Sequence, residues 1–175
     1  MNYISIIDKV MYSSSSNTYK IYFVTKDHQY KSFLNIPVYD AKNIVLAKEN
    51  IYSDKLKSYN FITDLFTVLS INIDRFLISQ KNNKIVSKFY FKINKKEYSL
   101  DISFIDAIIL STITYTDIYM HEDLFERSNT DKFLQNYNDL SKLSNLKNIL
   151  KLLIKNEEYE SAALIKNKID QLDDY

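Results

Sequence analysis

The sequence predicts an α+β fold: a mixed, mostly antiparallel sheet with interspersed helices, followed by a C-terminal two-helix hairpin. Three observations predict it. Two groups of three β-branched and aromatic runs are separated by short polar breaks, the pattern of strand meanders. Segments led by Asp, Asn or Ser, with apolar residues at helical spacing, follow the strands. Near the C-terminus, Leu143, Leu146, Leu150 and Leu153, and then Ala162, Ile165, Ile169 and Leu172, each step by three or four residues. That spacing lays each set along one stripe of a helix, and two such stripes pack as an antiparallel pair.

Taken in order, residues 3–12 are rich in Ile and Val and are expected as a strand. The run Ser13-Ser14-Ser15-Ser16-Asn17 is expected as a turn and 20–25 as a second strand. Asp27-His28 turns tightly into a third strand over 30–38. Asp40 is expected to cap a helix over 41–49, and 51–58 to be irregular. Asn60 is expected to cap a helix ending at Leu69, with Phe61, Leu65, Val68 and Leu69 as its apolar face. Strands over 73–79, 84–93 and 97–102 follow, broken at Lys81-Asn82-Asn83 and Asn94-Lys95-Lys96. Ser103 and Asp106 form a capping-box pattern for a helix to about 114. A short strand at 118–120 and a helical turn over 121–126 complete the body. The expected division is a body over 1–127, a polar linker over 128–138 and the hairpin over 139–175. So small a hairpin can hardly bury enough surface to be stable alone, so it is expected to dock on the body, a second copy or another protein.

Composition removes whole classes of function. There is no cysteine, so disulfides, thiolate zinc sites, iron–sulfur clusters and a Cys nucleophile are excluded. There is no glycine, so a P-loop, a dinucleotide-binding fingerprint and a G-x-S-x-G elbow are excluded too. No organic cofactor is indicated. With 23 basic and 22 acidic residues, no global field draws the chain to nucleic acid or a membrane. The start lacks a signal-peptide pattern and no apolar run reaches membrane-spanning length, so a soluble cytoplasmic protein is expected. The meanders leave strand edges that no Gly or Pro blunts, so a homo-oligomer is expected.

The bend of the hairpin, Glu157-Glu158-Tyr159-Glu160-Ser161-Ala162-Ala163, preceded by the leucine-spaced helix and followed by Ile169, resembles the UVR motif over 140–172. Lys166-Asn167 stands where that family usually has Arg-Asp. The resemblance implies a protein-binding hairpin, with Glu157, Tyr159, Glu160, Ala162 and Ala163 facing the partner. Along the body, Asp40-Ala41, then Thr63-Asp64-Leu65, then Asp101-Ile102-Ser103-Phe104-Ile105-Asp106-Ala107-Ile108-Ile109-Leu110 resemble, in order, the bifunctional nuclease (BFN) domain family, which often ends in a UVR motif. Tyr39, Thr63, Ser103 and Asp117 replace the family's Gly, His, Arg and Pro.

The BFN resemblance implies a nuclease acting on DNA or RNA, with Asp64, Asp101 and Asp106 as catalytic residues. Phosphodiester hydrolysis needs charge stabilisation and an activated water, and Mg²⁺ or Mn²⁺ held by one or two carboxylates supplies both. Asp101 at a strand end and Asp106 in the next helical turn are the expected metal ligands. The same acids have ordinary structural uses: Asp106 as an N3 residue, Asp64 near a helix start and Asp101 at a turn. The missing Arg, His and Gly favour a second function, a catalytically degenerate adaptor recruiting a repair or protease partner through the hairpin. His121 suggests a surface helix start rather than a base. Tyr22, Tyr30 and Tyr90 could offer a base-stacking platform or simply pack on strands.

Overall fold

The computed structural model describes residues 1–13, 18–51, 54–127 and 138–173. The strands are β1 (Asn2–Ser13), β2 (Thr18–Thr25), β3 (Tyr30–Ile36), β4 (Asn72–Lys81), β5 (Lys84–Ile93), β6 (Lys96–Ile102), β7 (Ile118–His121) and β8 (Glu126–Arg127). The helices are α1 (Val38–Lys48), α2 (Asp54–Val68), α3 (Phe104–Thr114), α4 (Asn138–Lys155) and α5 (Tyr159–Asp173), with a 3₁₀ turn at Glu122–Leu124.

Both meanders form as expected, and both enter one sheet of order β6-β5-β4-β7-β1-β2-β3-β8. Strand β7 joins them. It runs antiparallel to β1, with Tyr3 opposite Met120, and parallel to β4, with Leu77 opposite Tyr119. The other described pairings are antiparallel. The β4–β5 and β5–β6 hairpins close on two-residue loops, Asn82-Asn83 and Asn94-Lys95. All four loop residues have positive φ, the geometry of the turn whose twist matches paired strands. A bulge between Ile7 and Lys9 interrupts the β1–β2 ladder. Lys48 donates to the carbonyls of Ile7 and Asp8 there, at 3.1 and 2.8 Å.

Helix positions depart from expectation in three places. The first helix begins at Val38, directly after Pro37, whose φ of −60° suits a residue leading into a helix. Asp40 therefore lies in the first turn and is not the cap. Helix α2 begins at Asp54, so much of the stretch expected to be irregular is helical and Asn60 is interior. Its buried side also differs. Leu56 is core, and Tyr59, Ile62 and Phe66 pack against the sheet, while Phe61, Leu65, Val68 and Leu69 are exposed. The helix has two apolar faces, and periodicity alone could not say which one meets the core.

The hairpin shares the body's core. Leu146, Ile149, Leu153, Ala162, Ile165 and Ile169 are buried in one cluster with Val10, Tyr19, Ile21 and Ile36 of the sheet and Ala41 and Ile44 of α1. Ile149 joins the α4 stripe, Leu143 and Leu150 flank it, and Leu172 remains exposed. A second cluster joins Phe76, Phe89 and Phe91 of the sheet to Ala107 and Leu110 of α3, with Ile62 and Phe66 of α2 packed against it. The expected turn at 14–17 and linker residues 128–137 lie outside the described residues.

Candidate functional site

The acids singled out above stand in three different settings. Asp106 sits in the first turn of α3, where the backbone N–H donates to Ser103 Oγ at 3.1 Å. The Ser103 hydroxyl donates in turn to Asp106 Oδ2 at 2.6 Å, so cap and first-turn acid are joined side chain to side chain rather than through the reciprocal backbone bond of a full capping box. The other carboxylate oxygen, Oδ1, accepts from the Tyr59 hydroxyl of α2 at 2.5 Å. Asp101 lies at the end of β6 with its side chain 83% exposed, paired across the ladder with Lys88 at 3.3 Å. Asp64 is exposed in the second half of α2, not in a first helical turn as expected. The helix starts at Asp54, earlier than the spacing predicts, and that puts Asp64 well past its first turn.

Asp101 and Asp106 do stand on either side of the β6–α3 junction, as the sequence suggested. Asp101 already faces an ammonium, and both oxygens of Asp106 accept hydrogen bonds. Among the described residues, no three His, Asp or Glu side chains are grouped so as to hold a metal ion.

Tyr59 was not legible as a site residue, because the sequence placed its neighbourhood outside a helix. It ties α2 to the start of α3. Burial pushes its hydroxyl above the ordinary tyrosine range, reinforced by the hydrogen bond to Asp106 and the nearby charges of Asp106 and Asp40. A phenol held protonated in this way donates to a carboxylate and is not itself a base. In the middle of α1, Asn43 is buried and neither of its side-chain polar atoms has a hydrogen-bond partner among the described residues.

The remaining candidates have structural employment. His121 caps the 3₁₀ turn, accepting from the Asp123 N–H at 3.4 Å through Nδ1. Tyr22 packs against Phe33 with Lys9 over its ring, and Arg75 lies 4.5 Å from the ring centre of Tyr90. Tyr30 packs against Tyr3 and Phe125. These aromatic faces are already engaged within the chain.

At the hairpin bend the side chains divide between inside and outside. Glu158 pairs with the Lys42 ammonium of α1, whose side chain is 4% exposed, and Ala162 is in the core. Glu157, Tyr159, Glu160 and Ala163 are not drawn inward; Tyr159 is 64% exposed. A second tie, Lys168 to the carbonyl and carboxylate of Glu49 at 2.8 and 2.7 Å, fixes α5 to the end of α1. The spacing of the bend was readable from sequence, but neither Lys42 nor Glu49 was, because each lies more than a hundred residues from its partner.

Compared with known proteins, the chain matches no family model and no curated protein. Among the described residues, no helix is long and apolar enough to cross a membrane.

Proposed function

We propose that this protein is a BFN-type domain carrying a UVR-like hairpin, and that it acts in the cytoplasm as an interaction module rather than as an enzyme. One observation carries the reading. The hairpin's packing stripe is consumed by the body, yet its bend holds Tyr159 in solvent beside Glu157 and Glu160. An exposed aromatic ring flanked by acids suits a protein partner with an apolar patch and a basic rim. Ala163 allows close approach there, while Ala162 supports the bend from inside. The lack of cysteine suits a reducing compartment. The test is to identify the proteins cross-linked through a photoreactive group at position 159, purify the main one and titrate it. Tyr159→Ala with Glu160→Lys should weaken binding at least tenfold, about 1.4 kcal/mol. Unchanged affinity would overturn the reading.

A second reading is a metal-assisted nuclease of DNA or RNA using Mg²⁺ or Mn²⁺. The observation favouring it is the placement of Asp101 and Asp106 across the β6–α3 junction, with Asp40 near the same Tyr59. Against it stand the lysine beside Asp101 and the filled hydrogen bonds of Asp106. Cleavage of single- and double-stranded DNA and RNA, assayed with either metal and with chelator, decides it. Metal-dependent cleavage lost in Asp106→Asn would establish the second reading; no cleavage leaves the first.

A further inference from the structure

We infer that the open edge of β6 is a self-association surface whose occupant is the same strand of a second copy, paired antiparallel about a twofold axis near Leu100. This surface is separate from the hairpin bend and does not depend on the function proposed for it.

Strand β6 ends the sheet order and pairs only with β5 among the described residues. Its seven residues run in unbroken register against β5, with no bulge and no proline. Bulges and prolines are two of the devices that blunt an edge, and of a third, charged side chains, β6 carries Lys96 at its start and Glu97 and Asp101, the last two neutralised by lysines of β5. The row of unpaired N–H and C=O groups on such an edge is a template for another strand.

The side chains say what kind of strand fits. An aromatic row crosses one face of the sheet from Phe76 to Phe89 to Phe91 to Tyr98, with successive ring centres 5.0, 4.9 and 5.6 Å apart. The row begins in the core and ends in solvent, where Tyr98 is 45% and its neighbour on that face, Leu100, 56% exposed. Helix α2 packs on the same face further in, through Ile62 and Phe66. On the opposite face, Glu97 and Asp101 are already balanced by Lys92 and Lys88 of β5. An approaching strand therefore meets an apolar face and a neutral one.

A second β6 complements both. With the axis at Leu100, antiparallel pairing sets Leu100 opposite Leu100, Tyr98 opposite Ile102 and Ser99 opposite Asp101. Apolar residues meet apolar residues, the faces of the two sheets stay continuous, and no like charges are opposed. Moving the axis to Ser99 would set Glu97 against Asp101, which charge repulsion disfavours.

The chain has no cysteine, so a single introduced thiol reports the register cleanly. The full-length protein is expected to show a concentration-dependent dimer by sedimentation equilibrium. Leu100→Glu, a change at a half-exposed position, should weaken it at least tenfold while the circular dichroism spectrum is unchanged. Leu100→Cys should form an intermolecular disulfide under mild oxidation faster than Glu157→Cys at the hairpin bend. A strict monomer at high concentration, a dimer indifferent to Leu100→Glu, or faster cross-linking at position 157 would each overturn the proposal.

Discussion

Nine described residues hold positive φ in a chain without glycine, four of them asparagines, the side chain best suited to that region. Lys95 is a poorer fit. It occupies the second loop position of the β5–β6 hairpin at φ 65°, where its Cβ crowds the backbone. Lys95→Gly should raise stability by about 1 kcal/mol, whereas Lys95→Ala should not, because alanine keeps the Cβ. Urea unfolding of the two variants checks this. Tyr59 gives a pH-dependent prediction. Its hydroxyl is held above the ordinary tyrosine range, so the unfolded chain gives up this proton first as pH climbs past about 10. The folded state then binds more protons than the unfolded state, and stability falls as pH rises. The contribution is complete below the unfolded value and is lost as pH climbs toward the folded one. In urea midpoints measured between about pH 9.5 and 11.5, Tyr59→Phe should show a shallower decline than the parent. Tyr19 and Tyr22, also raised by burial, keep part of the slope in both.

At the scale of elements, the hairpin is fixed by one buried ion pair and one partly exposed one. Lys42 is deeply buried, whereas its partner Glu158 is one-third exposed. Breaking such a pair costs most when the charge left behind cannot reach water. Glu158→Gln strands the Lys42 ammonium and should cost about 2 kcal/mol, while Lys42→Met leaves a carboxylate that can rehydrate and should cost about 1 kcal/mol or less. Equal losses in the two variants would show that the lysine reaches solvent by rearranging. Replacing Lys168, which ties the half-exposed end of the same helix to Glu49, should cost less than Glu158→Gln.

At the scale of the molecule, hairpin and body are joined through a single core cluster. Removing residues 138–175 would uncover Val10, Tyr19, Ile36 and Ile44 together, several side chains each worth roughly 1.5–3 kcal/mol when buried. The truncated body should melt at least roughly 10 °C lower than the full chain and bind a hydrophobic dye such as ANS. An unchanged melting temperature would mean that the two parts are energetically independent. The expected division into body and hairpin follows the element order, but the packing crosses it.

The sequence by itself determined strands β1 to β7, the turns at Asp27-His28, Asn82-Asn83 and Asn94-Lys95, the Ser103 cap of α3, and the two stripes of the C-terminal hairpin. All are local: they depend on side-chain alternation, on hydrogen bonds within a few residues, or on helical spacing. Tertiary structure alone decided the rest. It put β7 between the two meanders, because a short strand pairs wherever an edge is offered. It chose the buried face of α2, where Phe61 and Phe66 are equally apolar but only Phe66 meets Phe89. It also gave the carboxylates their partners, Tyr59 for Asp106 and Lys42 for Glu158, at separations of 47 and 116 residues. Electrostatics and burial act through space, and spacing along a chain says nothing about which distant charge arrives.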